Sequence, residues 1–275
     1  VTITGTNFTG ATAVAFGATA AAGFTVDSAT QITATSPAGS GTVDVRVTTA
    51  GGVSATSTAD EFTYVAAPTV SSVSPATGPE AGGTSVTITG TNFTGATAVA
   101  FGATAAAGFT ADSATQITAT SPAGSGTVDV RVTTAGGVSA TSAADEFTYV
   151  AAPTVSSVSP ATGPEAGGTS VTITGTNFTG ATAVAFGATA AAGFTVDSAT
   201  QITATSPAGS GTVDVRVTTV GGVSATSAAD EFTYVAAPAV SSVSPATGPE
   251  AGGTSVTITG TNFTGATAVA FGATA

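Results

Sequence analysis

The side chains of this chain that could do acid–base or metal chemistry are its carboxylates. Fifteen Asp and Glu stand against three Arg, with no Cys, His, Lys, Met or Trp, and the net charge over 275 residues is −12. Without imidazole, thiol or amine there is no histidine base, thiolate nucleophile or Schiff-base lysine. No disulfide or thiolate zinc site can form either. One period of the sequence carries Asp112, Asp129, Asp145, Glu146 and Glu165. Two carboxylates can serve as a glycosidase pair, but here the same set recurs in every period on turns and outward strand positions, as a solvated surface requires. The arrangement with the most chemistry is Asp145-Glu146, ahead of a strand that runs through Val150-Ala151-Ala152 to Pro153, with Glu165 in the loop beyond. Carboxylates from two neighbours could converge there on a hard cation such as calcium. The close Asp-x-Asp spacing of dedicated calcium loops is missing, so solvated charge is the expectation. No catalytic, cofactor-binding or metal residue is assigned, and no enzyme is expected.

Arg46, Arg131 and Arg216 are single cations, each beside Asp44, Asp129 or Asp214 on an outward strand face, and phosphate would repel so acidic a chain; nucleic acid is not an expected partner. Glycan recognition usually uses exposed aromatic platforms. Trp is absent, and Tyr64, Tyr149 and Tyr234 lie in a Phe-Thr-Tyr strand where core packing is expected. No run of about 18 apolar residues occurs, so no membrane-spanning helix is expected. The chain begins within a strand pattern with no visible signal peptide and reads as a piece of a longer protein.

The elements that must position these residues come in a strict repeat. Val-Thr-Ile-Thr-Gly-Thr-Asn-Phe starts at Val1, Val86, Val171 and Val256, a period of 85 residues. Aligned copies differ only at Val26/Ala111/Val196, Ala50/Ala135/Val220, Thr58/Ala143/Ala228 and Thr69/Thr154/Ala239. The period exceeds that of solenoids and propeller blades and suits a self-contained domain. Expected domains are 1–67, lacking its first strand, then 68–152, 153–237 and the opening part of another, 238–275.

Within one period Val86, Ile88, Val99 and Phe101 alternate with small residues, the period of a strand with one buried face. Val128, Val130 and Val132 face one way, with Asp129, Arg131 and Thr133 on the other. Val70 and Val73, three apart, need a kink to share a face. Gly136-Gly137 marks a tight hairpin, and Phe147-Thr148-Tyr149 completes the strand that returns from it. The expected core is Val70, Val73, Val86, Ile88, Phe93, Val99, Phe101, Phe109, Ile117, Val128, Val130, Val132, Val138, Phe147 and Tyr149. Seven or so short strands joined by Gly, Pro and Ser turns predict an all-β fold: tandem two-sheet antiparallel β-sandwiches of immunoglobulin-like type, arranged as beads on a string.

Taken in order, Pro-x-Val-x-x-Val-x-Pro, Gly-Gly ahead of Val-Thr-Ile-x-Gly-x-Asn-Phe, Val-x-Phe-Gly, the Ser-Pro-Ala turn, Gly-x-Val-x-Val-x-Val and Phe-Thr-Tyr resemble the IPT/TIG family of immunoglobulin-like domains. The resemblance implies the same sandwich. It also implies modules of receptor ectodomains, transcription factors, secreted carbohydrate enzymes or repetitive bacterial surface proteins; the acidic charge argues against the second.

Near-identical loops as well as cores indicate that repeat number matters more than individuality, and linkers of a few residues ending in Pro should restrict motion. The expected function is a non-enzymatic, extracellular, bacterial cell-surface stalk or spacer of an adhesin-type protein, whose partners are other domains of the same longer chain. The alternative is a set of accessory or glycan-binding modules of a secreted polysaccharide-active enzyme. The tail keeps only Val240, Val243, Val256, Ile258, Phe263, Val269 and Phe271 of the core and should be the least stable part. Its residues 238–255 correspond to what residues 1–67 lack, so strand addition between molecules is expected.

Overall fold

The computed structural model describes residues 1–272, which fall into two compact units. One comprises Val1–Ala76, Gly83–Pro122 and Thr127–Phe147; the other comprises Thr77–Gly82, Ala123–Gly126 and Thr148–Ala275. The third repeat, 153–237, lies wholly in the latter and shows the fold most completely. Its strands are β1 (Thr154–Ser159), β2 (Thr162–Pro164), β3 (Ser170–Thr176), β4 (Ala183–Phe186), β5 (Thr189–Ala190), β6 (Gly193–Ser198), β7 (Gln201–Thr205), β8 (Thr212–Thr219), β9 (Gly222–Val223) and β10 (Glu231–Val235). One sheet runs β1-β3-β7-β6; the other runs β2-β10-β8-β4-β5, with β9 also on β8. Seven strands are the expected ones, but the strand returning from the Gly-Gly hairpin is split into β9 and β10; β2 and β5, of three and two residues, are additions.

Val171 and Ile173 of β3, Ile202 and Ala204 of β7, Val215 and Val217 of β8, and Phe232 and Tyr234 of β10 fill the space between the sheets with Phe178, Val184 and Phe186. Phe186 and Phe232 meet edge to face at 5.2 Å, and Phe232 and Tyr234 at 5.1 Å, each pair contributing about 0.5–1.5 kcal/mol beyond its buried area. A bulge between Val155 and Ser157 turns both β1 valines to the core, as their spacing requires. The outward face of the first sheet is hydroxylated, with Ser159, Thr172, Thr203 and Thr195 opposite one another across four strands. Its solvation therefore depends on hydroxyls, and lysine is not needed there.

β2 was expected as loop. Its Thr162–Pro164 instead pairs with Thr233–Val235, the one parallel pairing in an otherwise antiparallel sandwich.

Two expected core positions are not core. Val223, like Val138 and Val53 in the other repeats, is exposed, because the hairpin register sets it opposite Thr218 on the outward face of β8. Phe194, with Phe109 and Phe24, is more than a third exposed. It shares the inward face of edge strand β6 with Val196, opposite buried Ala204, but at the open rim of the sandwich. Val213, counterpart of Val128, is half-buried and packs against the core.

In the first unit, residues 1–67 build the same sheets without β1 and β2: Thr2–Thr4 pairs with Gln31–Thr35, and Ala13–Phe16 with Gly41–Thr49. Its core centres on Phe8, Val14, Phe16, Ile32, Val45 and Val47. Ser85–Thr91, Gln116–Thr120 and Gly108–Ala111 of the second repeat pair in the register of β3, β7 and β6. In the second unit the terminal repeat forms one two-stranded sheet, Ala239–Ser244 with Thr257–Thr261, and none of its described residues is buried.

Candidate functional site

The carboxylates divide by environment. Asp230 is fully buried, contrary to the expectation of solvated charge for it and for its counterpart Asp145. The chain leaves β9, loops out over 225–229, and re-enters the sheet where Val215 N–H donates to Asp230 O at 2.7 Å. There Asp230 Oδ1 accepts from Ser227 N–H at 2.7 Å and from Ser227 Oγ at 3.0 Å, closing the loop, while Oδ2 has no hydrogen-bond partner. Asp145 does the same with Ser142. In the first repeat Asp60 is only half-buried; the hydrogen bond from Ser57 lowers its pKa, against a smaller opposing push from burial. The Ser-x-x-Asp spacing was the available signal for this role. Glu146, Glu165 and Glu231 are exposed. Among the described residues, no group of three or more acidic side chains gathers into a metal-sized cluster.

The arginines are structural. Arg131 Nε and Nη2 donate to Ser139 O at 3.0 and 2.8 Å, and Arg216 Nε donates to Ser224 O at 3.1 Å. Each fixes the exit of the hairpin. Ser224, fully buried, completes it by accepting from Val217 N–H. Burial raises the pKa of Tyr149 and Tyr234, as core packing requires.

The most built feature is the seat of the linker. Thr148–Val150 pairs in parallel with Thr77–Pro79, and Val150 O accepts from Glu80 N–H at 3.1 Å. Ala151 O lies against Gly221 in the β8–β9 turn, where any Cβ would collide with it. Ala152 O accepts from Asn177 Nδ2 at 3.0 Å, and Thr154 then enters β1. Asn177 sits at φ 60°, a left-handed conformation that asparagine tolerates better than most residues. It thereby ends β3 and also donates to the incoming chain. Gly175 is needed as well, because a Cβ there would meet the Thr154 carbonyl. The first unit repeats the seat: Ala66 O lies against Gly136, and Ala67 O accepts from Asn92 Nδ2 at 3.1 Å. Every linker carbonyl from Val150 to Ala152 therefore has a fixed neighbour. The residue types were visible in sequence, but their common partner was not.

Two sheets of this topology, repeated in tandem and entered through a seated linker, define an immunoglobulin-like β-sandwich array. The chain belongs to the IPT/TIG domain family, matching it over residues 1–64, 68–149, 153–234 and 238–275. Comparison with curated protein sequences gives no match. Among solved structures the chain is similar to the plexin A4 extracellular region, at 18% identity and a TM-score of 0.40, covering 77% of this chain and 29% of that one. It is similar to SGBP-B from a xyloglucan utilization locus in Bacteroides uniformis, at 26% identity and a TM-score of 0.27, covering 57% and 48%. It is also similar to the Escherichia coli adhesin FdeC, at 19% identity and a TM-score of 0.33, covering 86% and 87%. The chain thus spans less than two thirds of the first two. Among the described residues, no helix is long and apolar enough to cross a membrane.

Proposed function

We propose that the chain is a non-enzymatic, extracellular repeat array that acts as a semi-rigid stalk or spacer in a longer cell-surface protein, with one domain per repeat at 1–67, 68–152, 153–237 and 238–275. The observation that carries this reading is the linker. Val150 O is held by Glu80 of the preceding repeat, whereas Ala151 and Ala152 are held by Gly221 and Asn177 of the following one. The joint therefore has almost no free residue, and a joint of this kind transmits orientation. Family membership, the absence of His, Cys and Lys, and loops as uniform as the cores agree with a mechanical role. Because the chain has no cysteine of its own, spin labels can be placed on either side of the joint within one compact unit, at Ala81→Cys and Thr195→Cys, both exposed. Pulsed electron resonance should give a single narrow distance distribution that broadens in Asn177→Ala. A broad distribution in the parent chain refutes the semi-rigid joint.

A second reading, glycan binding along the array, draws on one observation. Phe24, Phe109 and Phe194 expose an aromatic edge once per repeat. Retardation of the chain in gels containing soluble polysaccharide, lost in Phe194→Ala, would favour it.

A further inference from the structure

We propose that Asn92 and Asn177 are attachment sites for N-linked glycan, so that a sugar chain stands at the seated linker of each complete repeat. Every asparagine of the chain lies in Asn-Phe-Thr: Asn7, Asn92, Asn177 and Asn262 precede Thr9, Thr94, Thr179 and Thr264 by two residues. Asn-x-Ser/Thr, with x other than Pro, is the acceptor sequence for N-glycosylation and belongs to surface loops. The proposal goes beyond the stalk reading and does not depend on it.

In the third repeat the tripeptide follows directly on β3. Phe178 is fully buried and roots the loop, while Asn177 and Thr179 on either side of it are exposed. Ala181 N–H donates to Phe178 O at 3.0 Å, which closes a turn with Thr179 and Gly180 at its tip. The second repeat repeats this: Phe93 is fully buried, Asn92 and Thr94 are exposed, and Ala96 N–H donates to Phe93 O at 3.0 Å.

The fold accounts for the asparagine but not for the threonine. Asn177 takes φ 60° and donates one amide N–H to Ala152 O; an amide has a second N–H, and among the described residues no other hydrogen bond engages this one. Glycosylation replaces that second hydrogen, so sugar and linker bond can coexist. Thr176 and Thr182, on either side, are engaged with Thr154 Oγ1 at 2.8 Å and Thr218 O at 3.4 Å, whereas the Thr179 hydroxyl has no partner among the described residues. A free hydroxyl two residues after an exposed asparagine is what the acceptor sequence demands. In the transfer, C1 of a glycosyl diphosphate donor breaks its bond to the phosphate oxygen and forms one to Nδ2; the Nδ2 proton passes to a base of the transferase, and the diphosphate leaves.

The arginines separate the two sites. Cleavage at Arg46, Arg131 and Arg216 of the denatured protein, taken from the cells that naturally make it, gives 47–131 with Asn92 and 132–216 with Asn177. Mass spectrometry should find both fragments heavier than their sequences by a glycan, with the added mass localised to Asn92 and Asn177. Thr179→Ala, made in the same cells, should lose the sugar from 132–216 alone. Thr179→Ser should keep it, which separates loss of the acceptor hydroxyl from a disturbed fold. Both fragments at the masses of their sequences overturn the proposal, and so does sugar found on Ser or Thr hydroxyls instead. Sugar that persists on Asn177 in Thr179→Ala overturns it too.

Discussion

Substituting one glycine at three equivalent positions should change stability with opposite signs. Gly51, Gly136 and Gly221 occupy the same place in the hairpin turn, and none has a left-handed φ. Alanine should therefore stabilise all three by about 0.4–1 kcal/mol through the unfolded chain. At Gly221 the new Cβ would run into the Ala151 carbonyl group and lie 3.0 Å from Ala152 N; at Gly136 it would lie 2.8 Å from Val65 O and run into Ala66. These are backbone atoms and cannot swing aside. Overpacking costs about 1–3 kcal/mol, and moving the linker breaks the bond from Asn177 or Asn92 at a cost of about 0.5–1.5 kcal/mol. The net is a loss of roughly 1–3 kcal/mol in the second and third repeats and a small gain in the first. For domains of this size about 1 kcal/mol corresponds to ~4–8 °C in Tm. Calorimetry of the full chain at low concentration, with one substitution at a time, should show one transition fall by roughly 4–20 °C for Gly136→Ala and Gly221→Ala. Gly51→Ala should show none falling. A shift of the same sign in all three variants would refute the linker seat.

Two further predictions concern buried polar groups. Asp230→Ala removes both bonds that close the Ser227 loop and should cost the third repeat roughly 2–4 kcal/mol; Asp60→Ala should cost its repeat less, since water reaches that loop already, and equal losses in chemical denaturation would contradict this. Burial raises the Tyr149 and Tyr234 pKa above the ordinary value of 10.0, so the unfolded chain loses its phenolic protons first. Their contribution to stability should be complete below about pH 10 and lost as pH rises through the folded-state pKa. Tyr234→Phe should flatten that alkaline limb and cost little at neutral pH, because Tyr234 Oη has no hydrogen-bond partner.

The layers of this fold were legible because alternation is a local property. Val171, Ile173, Val215 and Val217 announce a buried face within a few residues, and the impossible spacing of Val155 and Val158 announces a bulge. Residues whose burial depends on a distant partner were not legible. Phe194 carries the same alternation as a core residue, yet β6 is an edge strand and nothing crosses its rim. Val223 continues an apolar pattern, but the two-residue turn ahead of it fixes which face it takes, and that register is set by β8. Asp230 misled in the opposite direction: beside Glu231, just ahead of a strand, it looks like one of two solvated acids, and only the fold of the excursion over 225–229 brings Ser227 to it and closes water out.

The linker seat is the extreme case of the same limit. Asn177, Gly221 and Ala152 lie far apart in sequence, and each alone has an ordinary local explanation, as a turn residue, a hairpin glycine and the residue before a proline. Their meeting requires the whole sandwich, because Asn177 ends β3 of one sheet and Gly221 caps β8 of the other. The seat therefore closes only when both sheets are packed. It follows that a repeat able to hold its incoming linker is one that has already folded, and that the stiffness of each joint depends on the stability of the repeat that follows it. In an array of near-identical repeats, loss of one repeat should free both the Ala151 and Ala152 contacts of the joint on its N-terminal side but only the Val150 contact of the joint on its C-terminal side.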